Sequence, residues 1–247
     1  MKQFTFLLLS AMVLSTTACN HAGKTGKGAS SNPLLSASTL PFQAPPFDKI
    51  KDSDFEPAMD SGMKAQLMEI QQIADNPDTP TFKNTFIPLE KSGRLLDRVQ
   101  GVFNLLTSAN TNPSLQKVQE TEAPKLAANH DAIYLNKKLF ERIQSIYHKR
   151  SSLNLDSESL RLVGYYYQKF ILAGANLSDG DKAKLKSLNE EEASLSAKFT
   201  NQLLAATKAG ALVVSDTSEL AGLSEGQLDA AAAAAKSRKL AGKWVLP

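Results

Sequence analysis

The three histidines are the first residues to test for metal chemistry, because imidazole is a common zinc ligand. They are His21, His130 and His148. A zinc peptidase helix needs H-E-x-x-H, which places two imidazoles and a general base on one helix face. His130 is followed by Asp-Ala-Ile and His148 by Lys-Arg-Ser, so neither begins that motif. We therefore expect no catalytic, cofactor-binding or metal-binding residue in this chain, and we interpret His130 and His148 as helix-surface or packing residues.

Two other clusters could do chemistry but have simpler explanations. Glu190-Glu191-Glu192 could supply general acids or bases, yet three carboxylates in a row on a helix are more typical of a solvated face. Tyr165-Tyr166-Tyr167 could line a cleft, although helical packing explains at least part of it. The sequence has no P-loop, no dinucleotide fingerprint and no G-x-S-x-G elbow. The residues by themselves therefore indicate no active centre.

The single cysteine has a different kind of chemistry, because it follows an export leader. Met1-Lys2-Gln3 gives a positive start, Phe4 to Leu14 is mostly apolar, and small residues lead up to Cys19. This order is typical of a secretory signal, and the apolar run is shorter than the ~20 residues of a membrane span. Cys19 resembles the acylated cysteine of a bacterial lipobox, with a departure at Thr16, where that motif usually has Leu. The alternative is ordinary cleavage after Ala18, which leaves Cys19 free.

These features predict three parts along the chain. Residues 1–18 are a signal peptide, and residues 19–32 are the lipidated Cys19 followed by a flexible tether rich in Gly, Ser and Lys. Residues 33–247 are the folded body. Several acyl chains on one residue exceed the two signals that stable anchoring needs. We therefore expect a periplasmic lipoprotein, held on a membrane of the cell envelope through Cys19.

The composition fits a folded domain and argues against nucleic acid as a partner. Hydrophobic residues make up 42% and charged residues 21% of the 247 residues, which is enough apolar material for a core. The net charge is +3, and no stretch gathers five or six like charges. No nucleic acid is expected to bind. A single cysteine also excludes a disulfide within the chain.

Apolar periodicity predicts a mainly α fold built from long antiparallel helices. A first helix starts near residues 51–53 and ends at the proline-containing segment 76–80. Further helical stretches follow at residues 85–109, 114–148, 158–173 and 178–208. Pro124 is expected to kink or divide the second of these. An apolar stripe is interpreted as the packing face of the last one: Leu185, Leu188, Leu195, Phe199 and Leu203.

The two ends of the folded body have less helical character. Prolines keep residues 40–47 extended or turning, and we expect Phe42 and Phe47 to hold this arm on the body. Residues 211–215 and 243–246 are typical of short strands, with an Ala-rich helix between them. A two-stranded ribbon is marginal on its own. The chain is therefore expected to stop within a structure that continues.

Short segments occur in a characteristic order along the folded body. They begin with Asn32-Pro33-Leu34-Leu35 and end with Lys243-Trp244-Val245-Leu246-Pro247. Between these lie residues 44–50 (APPFDKI), 55–59 (FEPAM), 80–85 (PTFKNT), 89–93 (LEKSG), 135–143 (LNKKLFERI), 174–177 (GANL) and 219–223 (ELAGL). In this order the segments resemble bacterial peptidyl-dipeptidases of the thimet oligopeptidase type, over roughly residues 32–247.

The resemblance implies a fold and an activity. Members of this family are zinc peptidases with a helical body split by a deep channel, and they remove dipeptides from the C-termini of short peptides. Their H-E-x-x-H helix and third ligand, a Glu, lie well downstream of the matching region. Residues 33–247 would thus be the N-terminal helical part of a channel-type metallopeptidase, truncated before the zinc-binding catalytic domain. It would form a channel wall and bind no zinc itself.

Two functions of different classes follow. The leading hypothesis is the N-terminal portion of an exported zinc peptidyl-dipeptidase, which contributes a channel wall and size selection rather than catalysis. The alternative is a non-enzymatic helical lipoprotein, descended from such a peptidase and used for binding or scaffolding. Reading the gene past Pro247 would separate them, since the first requires H-E-x-x-H and the second a stop codon.

Overall fold

The computed structural model describes residues 32–246, which form a mainly helical body with a small antiparallel ribbon, as the sequence predicts. The signal peptide, Cys19 and residues 20–31 lie outside the described residues. The helices are α1 (Phe55–Ala74), α2 (Phe82–Lys91), α3 (Arg94–Asn110), α4 (Pro113–Tyr134), α5 (Lys137–Lys149), α6 (Ser157–Leu172), α7 (Asp179–Ala209) and α8 (Glu225–Ser237). The strands are β1 (Leu212–Val214) and β2 (Trp244–Leu246).

Most helices begin at a side chain that accepts hydrogen bonds from the first turn. Before α2, Thr81 and Asn84 bond reciprocally, because each side-chain oxygen accepts from the other residue's backbone N–H. The caps of α4 to α7 are Asn112, Asn136, Asp156 and Ser178. These local signals explain why the predicted starts of α6 and α7 are confirmed.

The predicted helix at residues 85–109 is wrong as a single element, because the chain breaks at Ser92 and Gly93 to give α2 and α3. Gly93 has φ +80°, a left-handed conformation that favours glycine. A Cβ at Gly93 would also collide with the side chain of Gln66. The backbone N–H of Gly93 donates to a carboxylate oxygen of Glu69, on α1, at 2.8 Å. The turn is therefore fixed from outside by α1.

The predicted division at Pro124 is also misplaced. Pro124 lies inside α4, and the chain breaks eleven residues later, between Tyr134 and Lys137. The Asn136 side chain accepts the N–H of Leu139 at 3.0 Å and so starts α5. A capping residue thus decides the boundary, while the proline is accommodated within the helix.

The leading arm is held by different residues from those predicted. Phe42 is fully exposed and Phe47 is about half exposed, so neither aromatic ring holds the arm. Leu34 is buried instead, and the Arg98 guanidinium donates to its carbonyl at 3.2 Å. The Asn32 amide donates to the carbonyl of Asp54 at 2.6 Å. The buried Leu34 side chain and these two hydrogen bonds therefore hold the start of the arm.

Two apolar clusters form the core, and α1 contributes to both. The first joins the C-terminal half of α1 to α2, α5, α6 and the end of α4, with Phe86, Ile143 and Phe170 fully buried. The second joins the N-terminal half of α1 to α3, the start of α4 and Leu34, and includes Phe55. Because α1 spans both clusters, it ties the halves of the bundle together.

The ribbon and α8 pack together after α7. Strands β1 and β2 pair antiparallel, with Val213 opposite Val245. The residues buried here are Val214, Leu220, Ala231, Ala235 and Val245. The predicted strands and Ala-rich helix are thus confirmed, and α8 covers one side of a ribbon that would be marginal alone.

Candidate functional site

The two described histidines lie apart and on the helix surface. His130 on α4 is more than half exposed, and its Nδ1 is 3.7 Å from a carboxylate oxygen of Asp131. His148 lies in the last turn of α5, with its ring edge-on to Tyr147. Within residues 32–246, no group of three or more His, Cys, Asp or Glu side chains could hold a metal ion. None of the helices in that range is long and apolar enough to cross a membrane.

The three consecutive tyrosines have three different environments. Tyr165 is exposed, Tyr166 is buried, and Tyr167 stacks on Tyr147 with ring centroids 3.8 Å apart. The Tyr166 hydroxyl donates to the carboxylate of Glu90 at 2.5 Å. Helical packing therefore accounts for Tyr167, while Tyr166 reaches into a polar cleft.

This polar cleft, of about 410 Å³, lies where α1, α2, α3, α4 and α6 meet. Glu90, Tyr166 and Lys169 line it, together with Tyr134. The Lys169 ammonium is 4.8 Å from the centroid of the Tyr134 ring, a cation–π distance. At its floor the amide of Asn129 donates to the Gln66 side chain at 2.8 Å.

Two titratable side chains of the cleft, those of Tyr166 and Lys169, have raised pKa values. Burial, and then the hydrogen bond to Glu90, hold the pKa of Tyr166 far above its usual value, so the phenol stays neutral. Burial of Lys169 opposes its charge, but the neighbouring side chains of Tyr134 and Tyr165 outweigh this and raise its pKa. Both groups therefore keep their protons near neutral pH, where neither is a ready base.

A second charged cluster joins α1 to α4. Glu122 is only 1% exposed, and one of its oxygens lies 2.8 Å from the Lys125 ammonium. The same ammonium lies 3.0 Å from Asp60 and 3.8 Å from Glu56. Burial raises the pKa of Glu122 despite the bond from Lys125. Three carboxylates thus share one ammonium, and the buried carboxylate bears most of the desolvation.

Helix α7 packs on α4 through a ridge of small and polar residues. The ridge consists of residues four apart: Asn189, Ala193, Ala197 and Asn201. The Asn189 amide donates to both carboxylate oxygens of Asp131 at 2.9 Å. The Asn201 amide donates to Glu120 at 2.9 Å, further towards the start of α4, so the two helices run antiparallel.

The opposite face of α7 is apolar and exposed. Four large side chains spaced seven, four and four residues apart remain 55–65% exposed: Leu188, Leu195, Phe199 and Leu203. We name these four residues the α7 stripe. The predicted packing face also included Leu185, which is half-buried. For the four residues of the α7 stripe the prediction is wrong within the described residues, because small residues let α7 approach α4 more closely. Glu190, Glu191 and Glu192 are exposed, consistent with a solvated face.

The similarity to known proteins is strong but partial. Dipeptidyl carboxypeptidase of Salmonella typhimurium is 49% identical over 218 residues, which is 88% of this chain and 32% of that protein. Dipeptidyl carboxypeptidase of Escherichia coli is 49% identical over 216 residues, again 32% of its length. The chain matches the N-terminal part of bacterial peptidyl-dipeptidases of the thimet oligopeptidase type.

A more distant relative matches nearly the same share of the chain. Organellar oligopeptidase A of Arabidopsis thaliana is 28% identical over 212 residues, which is 85% of this chain and 26% of that protein. No protein-family model matches. The match to the peptidyl-dipeptidases is N-terminal, and the chain spans about a third of the length of the curated relatives it matches.

Several features of the described residues were missed by sequence reasoning. The pair of Glu122 and Lys125 has i,i+3 spacing, so it could have been found as a helical ion pair. The α7 ridge repeats every four residues and was equally visible. Tyr166 and Glu90 are 76 residues apart, and no local pattern could have joined them.

Proposed function

We propose that this chain is the N-terminal portion of an exported zinc peptidyl-dipeptidase that releases dipeptides from the C-termini of short peptides. The observation that carries the proposal is 49% identity to two dipeptidyl carboxypeptidases over almost nine tenths of the chain. In this family resemblance zinc belongs to the downstream catalytic part. The described residues contain no cluster that fits it. This portion would therefore contribute shape rather than chemistry.

A rigid wall of the substrate channel is the role that suits these helices. Helix α7 has 31 residues, a length of roughly 46 Å at 1.5 Å per residue. Two amide contacts, Asn189 to Asp131 and Asn201 to Glu120, hold it along α4 at separate points. A long helix fixed in this way is suited to limiting a channel to short, flexible peptides.

Export and anchoring at Cys19 belong to the same proposal. Their support is the leader sequence, with a positive start, a short apolar run and small residues before the cysteine. A fatty-acid analogue fed to cells should label the wild type and fail to label Cys19→Ser. Equal labelling of the two would contradict acylation at Cys19. It would also contradict anchoring to a membrane of the cell envelope.

The peptidase proposal is tested on the protein encoded by the complete reading frame. It should release C-terminal dipeptides from a short peptide with a free carboxylate, detected by mass spectrometry, and a chelator should stop the release. The same peptide with an amidated C-terminus is the control substrate and should be cleaved far less. The 247-residue chain alone should cleave neither. A stop codon directly after Pro247, or release of single residues, would contradict the proposal.

A further inference from the structure

The α7 stripe differs from the other exposed apolar residues of the described chain. Helices α1, α3 and α6 each expose an isolated aliphatic residue, such as Met68, Leu105 or Leu172. The α7 stripe instead gathers four on one face, along roughly 22 Å of helix. The exposure continues beyond the helix, since Leu212 and Val213 of β1 are also exposed. Scattered apolar residues are ordinary, but contiguous ones mark an interaction surface.

The outward direction of the stripe is specified by the helix itself. Asp131 is 2% exposed, and both of its oxygens accept from Asn189. Rotating α7 to bury its leucines against α4 would leave this carboxylate buried without a donor, which is costly. The apolar face therefore cannot be satisfied by α4 and needs another partner.

The shape of the stripe indicates what kind of partner it fits. Leu188, Leu195, Phe199 and Leu203 project from a convex helix surface, whereas peptides and small ligands bind in concave sites. Spacings of seven and four residues are those of side chains that interdigitate with a second helix. The charged Glu192 lies on the same face, and its carboxylate accepts a hydrogen bond from the Ser196 hydroxyl at 2.8 Å. The expected partner is an apolar helical surface.

We propose that the α7 stripe is the docking surface for an apolar helical element of the polypeptide that follows Pro247. This inference rests on the proposed function. The relatives extend about three times as far as the region matched here, because the match covers 32% of their length. If the following polypeptide folds as a large partner, the stripe would lie in the interface between that partner and this segment. A second copy of the chain is the competing occupant.

Thiol labelling measures whether the stripe is covered. Phe199→Cys and the matched control Leu172→Cys are each placed in a Cys19→Ser background, so that the introduced thiol is the sole one in the segment. In the 247-residue chain both should react rapidly with a water-soluble maleimide, since Phe199 is 65% and Leu172 is 79% exposed. In the protein from the complete reading frame, the labelling rate of Phe199→Cys should fall to roughly one tenth or lower. Leu172→Cys should be unchanged.

Three results would overturn the proposal. Equal rates for Phe199→Cys and Leu172→Cys in the longer protein would mean that the stripe is open to solvent. If labelling of the 247-residue chain is slow and becomes slower as the protein concentration rises, a second copy of the chain covers the stripe. Protection that disappears when substrate peptide is removed would mean that the stripe lines the channel.

The same protein separates this inference from the proposed function. If the longer protein releases no dipeptides while Phe199→Cys is protected, the function fails and the docking surface stands. If it releases dipeptides while Phe199→Cys labels freely, the docking surface fails and the function stands. A reading frame that ends at Pro247 would overturn both.

Discussion

Helices α1–α6 and the segment from α7 to β2 are stabilised in different ways. Both apolar clusters of the core are built from α1–α6, the leading arm and Ala175. Within α7, all of which is described, Ala197 is the buried residue. The earlier helices hold one another by burying aliphatic and aromatic side chains. The long helix is held by amides that pair with carboxylates of α4.

The difference shows that apolar content and apolar burial are separate properties of a helix. Helix α7 carries six large apolar side chains and α1 carries seven, but the four-residue repeat of Asn and Ala in α7 decides which of its faces approaches α4. Small residues permit close contact, and each Asn satisfies a carboxylate. The large apolar side chains of the opposite face stay exposed.

The largest contrast is expected from the same substitution in the two regions. Phe170 is fully buried between Tyr134 and Phe140, so Phe170→Ala should lower the free energy of unfolding by about 3–5 kcal/mol. Phe199→Ala should change it by within about 0.5 kcal/mol, because that ring is exposed. Urea unfolding of the 247-residue chain measures both. A similar cost for the two variants would mean that α7 is buried in solution.

Hydrogen exchange is expected to separate the regions next. Amides of residues 211–246 should exchange at least roughly 30-fold faster than those buried in helices between residues 85 and 203, a difference of about 2 kcal/mol in opening free energy. The reason is that few apolar residues cover the ribbon, and β1 exposes Leu212 and Val213. Exchange resolved by mass spectrometry gives the comparison. Uniformly slow exchange through residue 246, in a chain that binds no hydrophobic dye, would contradict it.

The polar attachment of α7 is tested by removing one amide. Asn189→Ala should cost about 1–3 kcal/mol, because the carboxylate of Asp131 then stays buried without the amide that donates to both of its oxygens. Ser196→Ala removes a hydrogen bond on the exposed face of α7 and is the matched control, with little expected change. Chemical unfolding followed by circular dichroism measures both. An inert Asn189→Ala would show that the ridge does not hold the helix.

The sequence was most informative where structure is decided locally. Asp156 and Ser178 cap α6 and α7, and both helix starts could be predicted because a cap and its helix are neighbours in the chain. The break at Gly93 was missed, because apolar residues continue on both sides of it. What fixes that turn is Glu69 on another helix, and periodicity contains no information about such a contact.

Faces and sites were harder to predict than elements. On α7 two periodic patterns compete, leucines on one face and Asn with Ala on the other, and the neighbouring helix selects between them. The buried Glu122 and the pair of Tyr166 and Glu90 depend on burial, which a single sequence does not give. The family could nevertheless be predicted, because an ordered series of segments is informative even when no catalytic residue is present.

A smaller effect is expected where α1 and α3 cross closely. A Cβ added at Gly62 would lie 2.9 Å from the Leu96 Cα, so Gly62→Ala should destabilise the chain by about 1–2 kcal/mol through overpacking against backbone. Gly101→Ala on α3 meets nothing within 4 Å and should stabilise it by up to about 1 kcal/mol through helix propensity. Thermal unfolding of both variants measures the difference. If both variants shift the melting temperature equally and in the same direction, α1 and α3 lie further apart in solution than in the structure.

The smallest effect concerns the buried carboxylate of Glu122 and depends on pH. Burial is the dominant cause that raises the pKa of Glu122, and the hydrogen bond from Lys125 opposes it only in part. The pKa of Lys125 is also raised, chiefly by that bond, because the ammonium is more exposed and gains from the pair. The pair therefore favours the charged lysine, but burial still disfavours the charged glutamate.

The sign of the pH dependence follows from proton linkage. A carboxyl whose pKa is higher in the folded than in the unfolded state binds more protons when folded, so stability falls as pH rises through the interval between the two values. Glu122→Gln is neutral throughout and should abolish this fall. As the pH rises above the ordinary range of a glutamate, the variant should therefore gain stability relative to the wild type. Glu56→Gln, which removes an exposed charge beside the same ammonium, is the control. If the two variants give parallel pH profiles in chemical unfolding, the Glu122 carboxylate is solvated in solution. The interface between α1 and α4 would then be open to water, unlike the buried apolar clusters of α1–α6.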